Sequence, residues 1–171
     1  MKNVLLTGRP GCGKTTLIKK IIEKLPALKK EGFFTEEIRN GGVRVGFKML
    51  TLSGEEGVLS HVEFRSQYQV GKYKVDADAL EDIAANSLIR ATTQADLIII
   101  DEIGKMELFS ELMRLSIVEA LASGKKVLAT VDEIDDEFVG KIKKREDVEI
   151  IKVTPQNRDS LVDEIIGKLT S

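Results

Sequence analysis

Residues Gly8-Arg9-Pro10-Gly11-Cys12-Gly13-Lys14-Thr15 complete a GxxxxGK[ST] pattern, and they follow directly on the apolar run Val4-Leu5-Leu6. A triphosphate needs many converging donors, which backbone amides supply without blocking its approach. Glycine at 8, 11 and 13 allows positive φ and lets main chain close on the anion. The amides of Gly11, Cys12, Gly13 and Lys14 are expected to point inward, whereas Pro10 has no N–H and shapes the loop. Lys14 is expected to reach the β and γ phosphates. Thr15 is expected to offer its hydroxyl to Mg²⁺ at the start of a helix whose dipole favours the anion. Cys12 reads as a spacer within the loop.

Holding phosphate is not hydrolysis, which also needs a placed metal and an activated water. Leu97-Ile98-Ile99-Ile100-Asp101-Glu102 is an apolar run ending in two acids. Asp101 fits the Walker B role of holding the Mg²⁺ shell, and Glu102 is suited to orient and deprotonate water. Asp101-Glu102-Ile103-Gly104 also fits the DxxG pattern of GTPases. No NKxD guanine-reading motif accompanies it, and Val131-Asp132 after the next strand carries no such signature. Guanine selectivity is therefore not expected. Thr130 could sense the γ phosphate or the attacking water, and Arg39, Arg65 and Arg158 are candidates for an arginine finger. A single histidine, His61, makes no metal case.

These groups must be carried by elements that bring residues 8–15 and 101–102 to one edge. Short β-type runs alternate with longer helical ones, which predicts a parallel sheet covered by helices. Strands are expected at Asn3–Thr7, Leu97–Ile100, Lys126–Val131 and Val148–Val153. Helices are expected at about Lys14–Lys24, Asp76–Thr93, Phe109–Ser123, Asp135–Lys144 and Pro155–Leu169. Asp76 and Thr154 are the expected caps, Gly124 is the expected helix end, and Pro155 takes a first helical position. In the helix after Asp76, the expected buried face is Ala79, Leu80, Ile83, Ala84, Leu88 and Ile89. Asn40-Gly41-Gly42 between two extended stretches predicts an antiparallel hairpin over about residues 32–52. Val58–Val62 and Tyr68–Val75 are expected as short extended pieces, with breaks at Gly57 and Gly71.

At 171 residues the chain suits a single domain over 1–171. Its 26 basic and 28 acidic side chains leave a net charge of −2, with no field to draw nucleic acid or anionic lipid. One cysteine excludes an internal disulfide. No apolar run approaches the ~20 residues of a bilayer span, and the first residues lack the apolar core of a signal peptide. A cytoplasmic monomer acting on small molecules is the expectation.

The chain resembles the thermophilic-type nucleoside-triphosphatases, a small P-loop group that includes the human cancer-related nucleoside-triphosphatase. The resemblance rests on Leu6–Thr16, Gly32–Arg39, Val70–Asp76, Asp101–Leu108 and Val153–Asp159 in order. It implies Mg²⁺-dependent cleavage of the γ phosphate of ATP, GTP and other nucleoside triphosphates with little choice of base. It implies a RecA-like, three-layer, doubly wound sheet in which Lys126–Val131 lies between the loop strand and the Walker B strand. It also implies nucleotide contacts over Gly8, Arg9, Pro10, Gly11, Cys12, Gly13, Lys14, Thr15 and Thr16, and over Leu97, Ile98, Ile99, Ile100, Asp101, Glu102, Ile103 and Gly104. Two alternatives share the loop. One is a small-molecule kinase. The other is a nucleotide-gated module that docks a protein or RNA, with the hairpin flanked by Arg39 and Arg44 as its contact surface.

Overall fold

Neighbouring side chains in the apolar run Val4-Leu5-Leu6 enter two different cores, Leu5 one and its neighbours the other. The same split separates Leu97 and Ile99 from Ile98 and Ile100, and Leu128 from Val127 and Ala129. Strands buried on both faces of a parallel sheet behave this way. The computed structural model describes residues 3–171. Its strands are β1 (Asn3–Thr7), β2 (Lys30–Asn40), β3 (Val43–Thr51), β4 (Glu56–His61), β5 (Gln69–Val70), β6 (Tyr73–Val75), β7 (Leu97–Ile103), β8 (Lys126–Val131) and β9 (Val148–Lys152). The helices are α1 (Lys14–Glu23), α2 (Ala77–Ala79), α3 (Asn86–Gln94), α4 (Glu111–Ala122), α5 (Glu137–Lys143) and α6 (Arg158–Thr170).

All nine strands form one sheet in the order β5-β6-β4-β3-β2-β7-β8-β1-β9. The block β2-β7-β8-β1-β9 is parallel. β8 therefore lies between β1 and β7, as the family resemblance implied. Leu17, Ile18 and Ile21 of α1 and Leu161, Ile165 and Leu169 of α6 cover one face. Leu88 and Ala91 of α3, Met113 and Ile117 of α4, and Val139 and Ile142 of α5 cover the other. No helix among the described residues is long and apolar enough to cross a membrane.

The hairpin is present, with Gly41 and Gly42 both at positive φ (58° and 81°) as a tight primed turn requires. Its first strand also belongs to the parallel block, because Lys30–Phe33 pairs with β7 before Phe33–Asn40 turns to β3. At the crossover, Gly32 has φ +121°, and an added Cβ would sit 1.9 Å from the Ile99 carbonyl oxygen. Gly32→Ala is expected to cost on the order of 4 kcal/mol, combining backbone strain with a main-chain collision. A urea midpoint within error of the parent's would refute that reading.

Gly57 is not a break, since it lies inside β4, where a Cβ would meet Ile83 Cδ1 at 2.2 Å. The helix expected after Asp76 does start there, with the Asp76 side chain accepting from the Ala79 amide at 3.0 Å. It then widens into a π-type stretch at Leu80–Ala85. The extra residue per turn rotates the buried stripe to Leu80, Ala84, Ala85, Leu88 and Ala91, and Ile89 ends up 42% exposed. The last helix begins at Arg158 rather than Pro155. Thr154 and Asn157 bond reciprocally, Thr154 N–H to Asn157 Oδ1 at 2.8 Å and Asn157 N–H to Thr154 Oγ1 at 3.2 Å. That exchange closes a separate turn ahead of the helix.

Candidate functional site

β1 delivers the loop and α1 receives it. Gly8, Gly11 and Gly13 adopt φ +151°, +79° and +101°. A Cβ on Gly8 would lie 2.6 Å from the Val153 carbonyl oxygen and 2.9 Å from Cys12 Sγ. Cys12 itself packs into the core beside Leu6 and Leu17, and its amide closes the loop by donating to the Arg9 carbonyl at 3.2 Å. Its thiol and N–H are thus engaged within the fold, in contrast to the inward-pointing amide the motif suggested. Lys14 Nζ donates to the Gly8 carbonyl at 2.7 Å and to the Arg9 carbonyl at 3.3 Å, so the cation folds back over the loop.

The second half of the site comes from β7 by way of an irregularity. β7 keeps parallel register with β8 up to Ile100↔Ala129 and resumes it at Ile103↔Val131. Asp101 and Glu102 thus oppose the single residue Thr130, a bulge that departs from strict alternation. The peptide between the two acids is cis. Asp101, 3% exposed, accepts from Thr15 Oγ1 on Oδ2 and from Thr130 Oγ1 on Oδ1, both at 2.7 Å. Burial pushes its carboxyl above the ordinary range, against the pull of the two hydroxyls and of Lys14 and Lys19. Glu102 is pushed up to about 7 by burial and by the charges of Asp132 and Asp101, with Lys14 opposing.

A cavity of about 310 Å³ joins the two halves, lined by Pro10, Gly11, Gly13, Lys14, Thr15, Thr16, Asp101 and Glu102. Residues about ninety positions apart in sequence therefore share one small space. Thr130 is fully buried and spends its hydroxyl on Asp101, so it orients that carboxylate. Leu97, Ile98, Ile99, Ile100 and Ile103 are fully buried, which gives them the task of fixing where Asp101 stands. Gly104 lies against Glu102, since a Cβ there would approach Glu102 Oε1 to 3.0 Å.

The arginines separate. Arg39 is held in the hairpin by Glu37 at 2.6 Å and by the Gly42 carbonyl at 2.8 Å. Arg44 lies over the rings of Phe47 and Tyr73 at 5.1 and 5.3 Å. Arg65 lines a different cleft. Arg158 is the one that approaches the phosphate loop, with its Cδ and Nη1 both 3.1 Å from where a Gly13 Cβ would be.

A family model described as NTPase matches residues 3–166. The chain belongs to this NTPase family. It is 51% identical to the nucleoside-triphosphatase THEP1 of Thermotoga sp. (strain RQ2), over 97% of this chain and 94% of the relative. The crystal structure of THEP1 from the hyperthermophile Aquifex aeolicus matches with a TM-score of 0.90 at 38% identity, covering 100% of both chains. The solution structure of a human cancer-related nucleoside triphosphatase matches with a TM-score of 0.84 at 38% identity, over 99% of this chain and 97% of that one. The family read from the motifs is the family shown.

Two further acids, without a motif role in the sequence, stand beside Glu102 in this NTPase-family site. Glu107, in a short 3-10 turn at Glu107–Phe109, is 2% exposed, and its carboxyl is held well above the ordinary range by burial and by the charge of Glu102. Asp132, directly after β8, faces Glu102 across Gly104. A signal for Glu107 was present, since it is a lone acid inside the apolar run Met106, Leu108 and Phe109. Its burial beside Glu102 depends on tertiary packing, which the run does not encode.

Proposed function

We propose that this chain hydrolyses nucleoside triphosphates, ATP and GTP among them, to diphosphate and phosphate, with Mg²⁺ and little choice of base. The observation that carries the proposal is the 2.7 Å contact of Thr15 with Asp101 in a cavity that Lys14 and Glu102 also line. Membership of the NTPase family supports the same reading. We take the architecture as a three-layer, doubly wound, RecA-like domain over 1–171, acting as a cytoplasmic monomer.

Thr15 Oγ1 and the Asp101 carboxylate are oxygen donors, which suit a hard cation such as Mg²⁺. Such an ion, when bound, neutralises charge on the phosphate oxygens. The remaining work falls to the chain. Lys14 gives up the Gly8 and Arg9 carbonyls for phosphate oxygens, and positive-φ glycines let the loop main chain approach them. Thr130 keeps Asp101 from rotating. Glu102 takes a proton from the attacking water, a task that suits a carboxylate titrating close to neutral pH.

Only ionised Glu102 accepts that proton, so lowering the pH through about 7 removes the active form. On this basis kcat/KM, which reports the free enzyme, is expected at pH 6 to be about a tenth of its plateau value. A flat profile from pH 5.5 to 8 would exclude Glu102 as the base. Phosphate release measured across ATP, GTP, CTP and UTP, with and without Mg²⁺, tests the whole proposal. Rates within a few-fold of each other and dependent on Mg²⁺ are expected, whereas steep preference for one base would count against broad specificity.

A second reading has one observation in its favour. A cleft of about 830 Å³, lined by Arg65, Tyr68, Asp76, Glu81, Phe109 and Arg114 among others, offers room for a small acceptor, as a kinase would need.

A further inference from the structure

The cavity at the phosphate loop has two ends, and only one can hold the phosphate that is cleaved. Glu102 and Asp101 mark that end, because water must be activated there. The nucleoside must leave the cavity by another part of its lining, to which Gly13 and Thr16 belong. A second cavity of about 270 Å³ has these same two residues in its wall, and its other lining residues are Leu17, Lys20, Arg158 and Asp159. We propose that the nucleoside end of the triphosphate lies in this second cavity with its base stacked on the Arg158 guanidinium, making Arg158 the residue that gives affinity without base choice. The inference rests on the triphosphate reading above and adds the position of the nucleoside.

The chemistry of the lining decides what kind of seat this is. Among the described residues no aromatic ring lines the cavity. The flat surface there is the guanidinium, lying across Gly13 with Nη1 3.1 Å from the position of a Cβ. A planar cation stacks on any π-face, purine or pyrimidine. The Arg158 backbone N–H donates to the Thr154 carbonyl at 3.1 Å, and among the described residues its guanidinium has no hydrogen bond or ion pair that would hold it elsewhere. Its neighbour Asp159 is paired with Lys20 at 3.6 Å and is 81% exposed, so this carboxylate reads a base edge only in competition with water and with Lys20. Arg158 lines this cavity and not the one that Asp101 and Glu102 line, which also separates this role from that of an arginine finger, which must reach the charge developing at the γ phosphate.

Titration calorimetry on Arg158→Ala and Arg158→Lys, with ATP, GTP, CTP, UTP and inorganic tripolyphosphate as ligands, tests this without relying on turnover. Both variants are expected to bind all four nucleotides about three- to tenfold more weakly, with the order among bases kept and tripolyphosphate unchanged. The lysine variant keeps the charge and loses the plane, so full recovery by it would overturn stacking. Equal weakening of tripolyphosphate would make Arg158 a phosphate contact, and unchanged binding of every ligand would remove it from the site. A fall in saturated phosphate release at unchanged affinity would mark a finger and also overturn the proposal. Failure of the wild-type protein to release phosphate would instead refute the hydrolase reading, and the calorimetric comparison would still report on Arg158.

Discussion

Glu102→Gln is expected to bind nucleoside triphosphates as the parent does while its turnover falls about 100- to 10,000-fold, the range that general-base contributions span. The substitution keeps the shape of a side chain that lines the cavity and removes its ability to accept a proton. A stability readout separates this from damage to the fold. The carboxyl of Glu102 is raised in the folded protein to about 7, chiefly by burial. The native state therefore holds a proton that the unfolded chain has lost at pH 6. Stability therefore falls as pH rises from the ordinary carboxylate range to about 7 and levels off above it, and the glutamine variant is spared that loss. In metal-free buffer at pH 8 its melting temperature should equal or exceed the parent's. Parent-like phosphate release by this variant would remove Glu102 from the chemistry.

Lys14→Ala is expected to lose nucleotide affinity by about 100-fold or more, since each charge-assisted hydrogen bond contributes about 1.5–3 kcal/mol and Lys14 is assigned contacts to two phosphates. In the structure the amine bonds the Gly8 and Arg9 carbonyls, so its removal also frees two loop carbonyls. Arg9 is exposed, so water takes the place of the amine at its carbonyl, while Gly8 is buried, and the change in stability should be small beside the change in affinity. Equilibrium binding of ATP and of tripolyphosphate should weaken together, which distinguishes this variant from those at Arg158. Tight binding by Lys14→Ala would mean that the loop amides hold the phosphates without it.

Legibility in the sequence followed the range of each interaction. The loop was readable because its glycines and lysine act within eight residues, and the hairpin because Gly41 and Gly42 set the turn by themselves. The acids at 101 and 102 were readable as a strand end. Their joint arrival in the cavity depends on the bulge against Thr130, a feature of strand pairing that no local pattern announces. The double pairing of β2 was hidden for the same reason, with Gly32 as its single local trace. The π-type stretch at Leu80–Ala85 defeated a period-3.6 reading by rotating Ile89 outward. Glu107 stood out as an acid in an apolar run and Asp132 as a strand-end acid, but their place beside Glu102 is a tertiary property that no local pattern encodes. Among three arginines of equal promise in the chain, the structure separates Arg158 by its contact with Gly13.

In the proposed mechanism water, and no other acceptor, receives the γ phosphoryl group. Turnover of ATP in ¹⁸O-enriched water, with the product followed by ³¹P spectroscopy, tests it directly. Inorganic phosphate carrying one solvent-derived ¹⁸O and a diphosphate carrying none are expected. Label found on the diphosphate, or γ phosphorus accumulating on an added small acceptor in place of phosphate, would contradict it.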